Sequence, residues 1–193
     1  NNKTLESVQR MVIGGSAAPT SMIEAFQNEY GAEVRHGWGM TEMSPVGSIN
    51  TVKPNLMGLP AEERMKVQAK QGQPVYGVEM KITSEEGAAL PHDGESFGEL
   101  KVRGPWVCSG YFAMDESDAH DAEGWFNTND VATIDSEGYM QIVDRKKDVI
   151  KSGGEWISSI DVENAAMGHA DVAEAAVIGV PHPKWTERPL LIV

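Results

Sequence analysis

The chain has 193 residues with 40% hydrophobic content, enough for one core or for parts of two domains, and this composition argues against disorder. Its 16 Lys plus Arg against 29 Asp plus Glu give a net charge of −13, which repels phosphate backbones and anionic membrane surfaces, so no nucleic acid is expected as a partner. The single cysteine cannot form an internal disulfide, and no stretch approaches the roughly 18 apolar residues of a transmembrane segment, so we expect a cytoplasmic protein.

The first predicted unit is a strand, a loop of small residues and a helix. The apolar run Val8 to Ile13 predicts the strand, and Gly14 to Pro19 form the loop. Apolar residues then recur at helical spacing, at Met22, Ile23, Phe26 and Tyr30. Because the loop has few side chains, a flat base could lie against its backbone. A plain tight turn is the commoner meaning of such a loop taken alone.

A second strand, Ala32 to His36, leads into the glycine-flexed loop Gly37 to Glu42. Repeated strand-loop units indicate an α/β sheet whose loops face a ligand. Within the loop, Trp38 offers a face for a base, Thr41 a hydroxyl for phosphate, and Glu42 a hard oxygen ligand for Mg²⁺. A capped turn with a core tryptophan is the alternative for this hexapeptide alone.

From about Gly72 the sequence becomes β-rich, with alternating apolar residues and glycine-containing turns. The segments Ser84 to Gly87 and Asp135 to Gly138 predict hairpin turns. Asp130 precedes the apolar run Val131 to Ile134, and its carboxylate could accept hydrogen bonds from both hydroxyls of a ribose. An ordinary turn aspartate is the alternative.

A third pattern begins with the charged run Asp144 to Asp148. Such a run is usually a solvated hairpin end, but Arg145 could instead donate to ribose or phosphate oxygens. Beyond Gly153-Gly154, the sequence predicts a helix near Ile160 to Met167 and a final strand pair that starts at Ala175 to Val180.

Spacing excludes two kinds of metal site. The five histidines show no H-E-x-x-H or C-x-x-C arrangement, so zinc is not expected. The acidic stretch Asp115 to Gly124 lacks the register of a calcium loop and is interpreted as a solvated loop.

The order and spacing of these motifs resemble the adenylate-forming superfamily of acyl-CoA synthetases, luciferases and peptide-synthetase adenylation domains. The resemblance spans nearly the whole chain, and the hinge region has a form typical of fatty acyl-CoA synthetases. It is carried by the adenine loop Gly14 to Pro19, the aromatic-Gly-x-Thr-Glu signature Trp38 to Glu42, a strand motif Gly98 to Gly104, the ribose motif Gly124 to Asp130, and the hinge with its following loop, Asp144 to Ile157.

The resemblance implies a role for each matching residue. Trp38 would stack on adenine, Thr41 would contact phosphate and Glu42 would hold Mg²⁺. Asp130 and Arg145 would bind the ribose, and Lys147 would act at a catalytic hinge. Further contacts with ATP or with coenzyme A are implied at Gly15, Ser16, Ala17, Gly37, Gly39, Met40, Lys151, Gly153, Gly154 and Trp156, the two adjacent glycines lying along the path of the pantetheine thiol.

The implied reaction is the ATP- and Mg²⁺-dependent joining of a carboxylic acid to coenzyme A through acyl-AMP, with these small molecules as substrates. The acid would be fatty or another medium-sized aliphatic acid, including thioether acids such as methylthiopropionate. The alternatives are an adenylation domain that loads a carrier protein and a non-catalytic nucleotide-binding module. Oligomeric state is left open, a homodimer included.

The implied fold is the adenylate-forming fold, in part. We expect the end of an α/β subdomain over residues 1–72, a β-rich subdomain over 73–144, a hinge at 145–147 and the start of a small α+β domain over 148–193. The family's phosphate loop and its catalytic lysine are expected upstream and downstream of the sequence, whose ends look like cuts. The 193 residues alone are therefore expected to lack ligase activity.

Overall fold

The computed structural model describes residues 5–114 and 119–193 as a mixed α/β structure with three sheets. The first part of the acidic stretch that the sequence predicts as a solvated loop, residues 115–118, lies outside the described residues. None of the described helices is long and apolar enough to cross a membrane.

The first sheet has four strands in the order β1-β2-β3-β4. They are β1 (Arg10–Ile13), β2 (Glu33–Gly39), β3 (Val46–Ile49) and β4 (Gln73–Pro74). β1 and β2 are parallel, whereas β3 is antiparallel to both of its neighbours. The sheet is therefore mixed, and only its first two strands follow the strand-loop repeat seen in the sequence.

Two helices accompany this sheet, α1 (Thr20–Tyr30) and α2 (Ala61–Ala69). α1 follows Pro19 and ends at Tyr30, and the capping residue Gly31 has a φ of 67°, which suits a glycine in the left-handed region. Of the four apolar residues that predict this helix, Ile23 is fully buried, with Ala18 and Val34 around it. Helix α2 was not predicted from the sequence.

The second sheet is an antiparallel meander of β5 (Glu79–Thr83), β6 (Gly98–Arg103), β7 (Phe126–Ile134) and β8 (Met140–Arg145). Its inward side chains form the main core, which includes Ile82, Leu100 and Phe126. Both predicted turns are present, with Gly87 donating to Ser84 and Gly138 donating to Asp135 across them. A bridge from Gly72 to Met140 ties this sheet to the end of the first.

The third sheet contains β9 (Ile150–Ser152), β10 (Glu155–Ile157), β11 (Ala176–His182) and β12 (Thr186–Ile192), in the order β10-β9-β12-β11. The helix α3 (Ser159–Met167) packs against it. The Ser158 hydroxyl caps α3 by accepting a hydrogen bond from the Asp161 amide at 3.0 Å. The predicted helix and final strand pair are thus both found.

One local prediction was wrong, and one of the alternatives left open is excluded. The predicted loop Gly37 to Glu42 is strand up to Gly39 and a short 3-10 helix over Thr41–Met43, because β3 pairs with Gly37 to Gly39 and supplies the hydrogen bonds that a loop would lack. The alternative that Asp130 is a turn residue is also excluded, because Asp130 lies within β7, paired with Arg145 of β8.

Candidate nucleotide-binding site

The site lies where β1 and β2 end at the same edge of the first sheet. The two strands are parallel, with Ile13 opposite His36, so their carboxyl ends lie at the same edge of the sheet. The small-residue loop lies directly against the second strand, because a side-chain carbon added to Gly14 would stand 3.0 Å from the carbonyl oxygen of Gly37. A residue larger than glycine at position 14 would push the loop away from this edge.

A cavity of about 170 Å³ opens beside this edge. Its lining includes eight residues that the resemblance implied for nucleotide contact, namely Gly15, Ser16, Ala17, Gly37, Trp38, Gly39, Asp130 and Arg145. Four further residues complete the lining without having been predicted, namely Gln71, Ile142, Asp144 and Ile160. The fold therefore gathers residues of four separate sequence motifs around one space.

Three of the lining side chains form a connected group. The Trp38 indole N–H donates to Asp130 Oδ2 at 2.9 Å, and the Arg145 Nε atom lies 3.0 Å from Asp130 Oδ1. Asp130 is 4% exposed, whereas the Arg145 side chain is 54% exposed. Both oxygens of a buried carboxylate are thus held in fixed directions by a neutral donor and a cation.

The environment of Asp130 changes its proton affinity. Burial raises the pKa of this carboxyl, and the Arg145 charge and the Trp38 hydrogen bond act in the opposite direction without cancelling the effect. The ionised carboxylate is consequently less stable here than in water. Hydroxyl donors from a bound sugar would add favourable contacts to that charge.

The backbone of β7 and β8 sets the positions of Asp130 and Arg145. The two residues are cross-strand partners, and the Thr128 hydroxyl accepts a hydrogen bond from the Asp130 amide at 3.1 Å while donating to the Leu100 carbonyl at 2.8 Å. Gln71 fixes the next part of the wall, because its side-chain oxygen accepts from the Ile142 amide at 2.7 Å. Strand pairing and these hydrogen bonds therefore fix the part of the cavity formed by Asp130, Arg145 and Ile142, whereas the small-residue loop forms another wall.

A second cavity, of about 290 Å³, adjoins the first across Trp38. It shares Gly15, Gly37, Trp38 and Gly39 with the first cavity and adds Met40 and Thr41. Its other walls are mainly apolar, formed by Val12, Pro45, Val46 and Ile49, with Gly14 and Ser48 between them. An apolar ligand could lie here next to a nucleotide in the first cavity.

Glu42 lies in the short helix after β2 and is not part of the lining of either cavity. The Tyr111 hydroxyl donates to Glu42 Oε1 at 2.9 Å, and the Cys108 amide donates to the Glu42 backbone oxygen at 2.7 Å. Burial and the neighbouring Glu42 carboxylate both raise the pKa of Tyr111, so this phenol remains a donor at neutral pH. Tyr111 is therefore a partner of Glu42 that the sequence analysis missed.

Glu42 has the chemistry of a magnesium ligand but does not form a complete site within the described residues. No group of three or more His, Cys, Asp or Glu side chains suitable for a metal occurs in residues 5–114 and 119–193. Mg²⁺ in nucleotide enzymes is commonly held by one or two carboxylates, with phosphates and water completing its octahedron. A single fixed carboxylate such as Glu42 fits that arrangement.

The predicted contacts beyond the hinge lie apart from the two cavities. Lys151, Gly153, Gly154 and Trp156 line neither of them. The Lys151 ammonium pairs with Glu85 and lies 5.0 Å from the centre of the Trp156 ring, and the Gly153 amide donates to the Trp185 carbonyl at 2.9 Å. Lys147 is 83% exposed, on the turn between the second and third sheets.

Sequence models of two protein families match the chain. The family described as AMP-binding enzyme matches residues 1–112, and the AMP-binding enzyme C-terminal domain matches residues 161–193. Among curated relatives, the 3-methylmercaptopropionyl-CoA ligase of Ruegeria lacuscaerulensis is 54% identical over 97% of this chain. The medium-chain-fatty-acid–CoA ligase of Ectopseudomonas oleovorans is 51% identical over 100% of it.

The fold also matches solved structures. The o-succinylbenzoate CoA synthetase of Bacillus subtilis, solved with its acyl-adenylate intermediate, aligns with a TM-score of 0.80 and 31% identity, covering 99% of this chain and 37% of that one. The chain spans about 35% of the length of each of the two curated relatives. The similarity is therefore to a portion of much longer proteins.

Proposed function

The chain belongs to the AMP-binding enzyme family. From this premise we propose that the full-length protein is an ATP- and Mg²⁺-dependent acid–CoA ligase. The observation that carries the proposal is the cavity in which the small-residue loop, Trp38, Asp130 and Arg145 meet. Relatives at 50–54% identity are named as CoA ligases for 3-methylmercaptopropionate and for medium- and long-chain fatty acids. These names support the reaction class proposed for this protein.

The first cavity is proposed to hold the adenosine part of ATP. The ribose hydroxyls donate to Asp130, whose orientation is fixed by Trp38 and Arg145 at 2.9 and 3.0 Å. The base lies between the backbone of Gly15 to Ala17 and Trp38, and the exposed Thr41 hydroxyl faces the phosphates. Because these donors and acceptors are already in position, they orient the α-phosphate and need not move as the reaction proceeds.

Glu42 is proposed to hold the Mg²⁺ ion that accompanies ATP. When bound, the ion would neutralise phosphate charge as pyrophosphate leaves. Tyr111 fixes one Glu42 oxygen, so the carboxylate has a defined direction before the metal arrives.

The proposed reaction has two steps. A carboxylate oxygen of the acid bonds to the α-phosphorus of ATP, the bond to the β-phosphate oxygen breaks, and pyrophosphate leaves. The thiol sulfur of coenzyme A then bonds to the acyl carbon, and the thiol proton is lost to solvent. The bond between the acyl carbon and the oxygen that joins it to phosphorus breaks, and AMP leaves with that oxygen. Lys147 is proposed as the hinge between the two steps, with Gly153 and Gly154 along the thiol path.

The acid is proposed to be a medium-sized aliphatic acid or a thioether acid such as methylthiopropionate. The apolar walls of the second cavity, next to Trp38 and Thr41, support this choice. The hydrocarbon part of an acid bound in the second cavity would lie among Val12, Val46 and Ile49. Its carboxylate oxygens would then lie near the phosphate end of the nucleotide.

Pyrophosphate release from the full-length protein tests the proposal. ATP, Mg²⁺ and a panel of acids should release pyrophosphate without CoA, and CoA should then give a thioester. Acceptance of a carrier protein in place of CoA would favour the adenylation-domain alternative. ATP binding without release of pyrophosphate in the presence of any tested acid would favour a binding module.

A cytoplasmic location belongs to the same proposal, and the oligomeric state, a homodimer included, is left to experiment. One cysteine in 193 residues is consistent with a reducing compartment. Imaging of the tagged protein checks the location, and light scattering after gel filtration checks the oligomeric state.

A further inference from the structure

His36 is a buried histidine that lies beside the nucleotide cavity without lining it. It is 1% exposed and ends the stretch of β2 that pairs with β1. Its Nδ1 atom is 2.9 Å from the carbonyl oxygen of Ala69, at the end of α2. Its Nε2 atom is 3.3 Å from the amide nitrogen of Ala18, in the small-residue loop. One imidazole ring therefore bridges α2 to the loop that forms one wall of the cavity.

These partners determine which ring nitrogen carries the hydrogen. A carbonyl oxygen can only accept, so Nδ1–H donates to Ala69. Nε2 is then the acceptor for the Ala18 N–H group. The Ser16 carbonyl oxygen, 3.4 Å from Nε2, receives no hydrogen in this tautomer. The two ring nitrogens thus act on different parts of the protein, one on the helix and one on the loop.

We propose that His36 is a positioning residue for nucleotide binding, acting through the hydrogen bond from Ala18 N–H to its Nε2 atom. The inference rests on the proposed function, because it assumes that Ser16 and Ala17 contact the base. Ala18 is itself 5% exposed, so its N–H group has little access to water if His36 does not accept from it. Losing that acceptor would let the loop shift, which moves Ser16 and Ala17, the two cavity-lining residues directly before Ala18.

Two conservative variants separate this role from simple packing. In His36→Gln the side-chain oxygen reaches the position of Nε2, so the acceptor for Ala18 is kept. In His36→Asn the amide group is placed near Nδ1, so the donor to Ala69 is kept and the acceptor for Ala18 is lost. Asn50→Ala is the matched control, because the Asn50 side chain donates to the Val67 and Lys70 carbonyls at the same end of α2 and the substitution keeps the Asn50 amide that donates to the His36 carbonyl.

Calorimetric titration of ATP into the full-length protein provides the first readout. We expect His36→Asn to raise the Kd for ATP about three- to tenfold, the effect of one lost hydrogen bond. His36→Gln and Asn50→Ala should stay within about twofold of wild type, even where their melting temperatures fall. Equal Kd values for His36→Asn and His36→Gln would overturn the inference, since the ring would then act only by filling space.

Hydrogen exchange provides a second readout that does not depend on nucleotide. The Ala18 amide should exchange slowly in the wild type and in His36→Gln, and faster in His36→Asn. If His36→Asn does not fold, the wild-type protein decides, because exchange of its Ala18 amide at the rate of an unbonded loop amide contradicts the inference. A wild type that binds no ATP while its Ala18 amide is protected would instead reject the proposed function.

Discussion

The indole N–H of Trp38 donates to the carboxylate of Asp130 at 2.9 Å, which joins β2 of the first sheet to β7 of the second. The two residues are 92 positions apart in the chain. The group proposed to face the base and the group proposed to bind the ribose are therefore positioned together. A change at either residue should alter the other.

Trp38→Phe tests this link, since phenylalanine keeps an aromatic face and removes the N–H donor. We expect the Kd for ATP to rise about three- to tenfold, because one hydrogen bond to a charged acceptor is lost. Trp106→Phe is the control, since Trp106 donates its indole N–H to the Val46 carbonyl at 3.3 Å and lines neither cavity. Equal effects of the two substitutions on ATP binding would contradict the link.

Asp130→Asn should separate stability from binding. Because burial raises the pKa of Asp130, the folded state holds this proton more tightly than the unfolded chain does. The free energy of unfolding therefore falls as pH rises from the ordinary value of 3.8 through the raised pKa. Asparagine does not ionise and is not subject to this loss. The difference in melting temperature, variant minus wild type, should therefore become more positive as the pH rises from 4 to 7.

The same variant should bind ATP at least about tenfold more weakly at pH 7, because the ribose loses a charged acceptor. Asp161→Asn is the control, since burial also raises the pKa of Asp161, which lines neither cavity. Its ATP affinity should match that of the wild type. A variant Asp130→Asn with unchanged ATP affinity would show that Asp130 has only a structural role.

Tyr111→Phe should raise the Mg²⁺ concentration needed for half-maximal pyrophosphate release about three- to tenfold. The substitution removes the hydrogen bond that fixes Glu42 Oε1. Binding of Mn²⁺ in the presence of ATP, followed by electron paramagnetic resonance, should weaken in parallel. Tyr76→Phe is the control, because Tyr76 is 98% exposed.

Glu42→Gln should abolish acyl-AMP formation and leave the fold intact, because a neutral amide is a poor ligand for Mg²⁺. Unchanged pyrophosphate release by this variant at saturating Mg²⁺ would remove Glu42 from the metal site.

Lys147→Pro should preserve acyl-AMP formation and reduce thioester formation, since proline fixes φ near −65° and hinders backbone rotation at this exposed turn. Lys147→Ala removes the charge and still allows backbone rotation, so this variant should keep both acyl-AMP formation and thioester formation. Rapid quench of each half-reaction separates them. Equal loss of both steps in Lys147→Pro would indicate general misfolding.

The parts of the fold that depend on local pattern could be predicted from the sequence. Gly14 to Pro19 between a short apolar run and a helical repeat places a loop at the end of β1, and the turn residues Asp135 to Gly138 specify a hairpin. The motif residues that line the cavity are recognisable in the same way, because each belongs to a contiguous segment.

Features that depend on distant partners could not be predicted. Strand β2 extends to Gly39 only because β3 pairs with it, and no local spacing connects Tyr111 to Glu42, 69 residues away. Helix α2 is mostly polar, and its available signals were Pro60 before its first residue and Glu62 and Glu63 in its first turn.

Asp130, held by Trp38 and Arg145, is proposed to bind the ribose of ATP. Calorimetric titration of ATP into the folded full-length protein and its Asp130→Ala variant tests this proposal most directly. We expect a Kd at least about tenfold higher for the variant, because hydrogen bonds to a charged acceptor contribute about 1.5–3 kcal/mol each. Equal Kd values for the two proteins would contradict it.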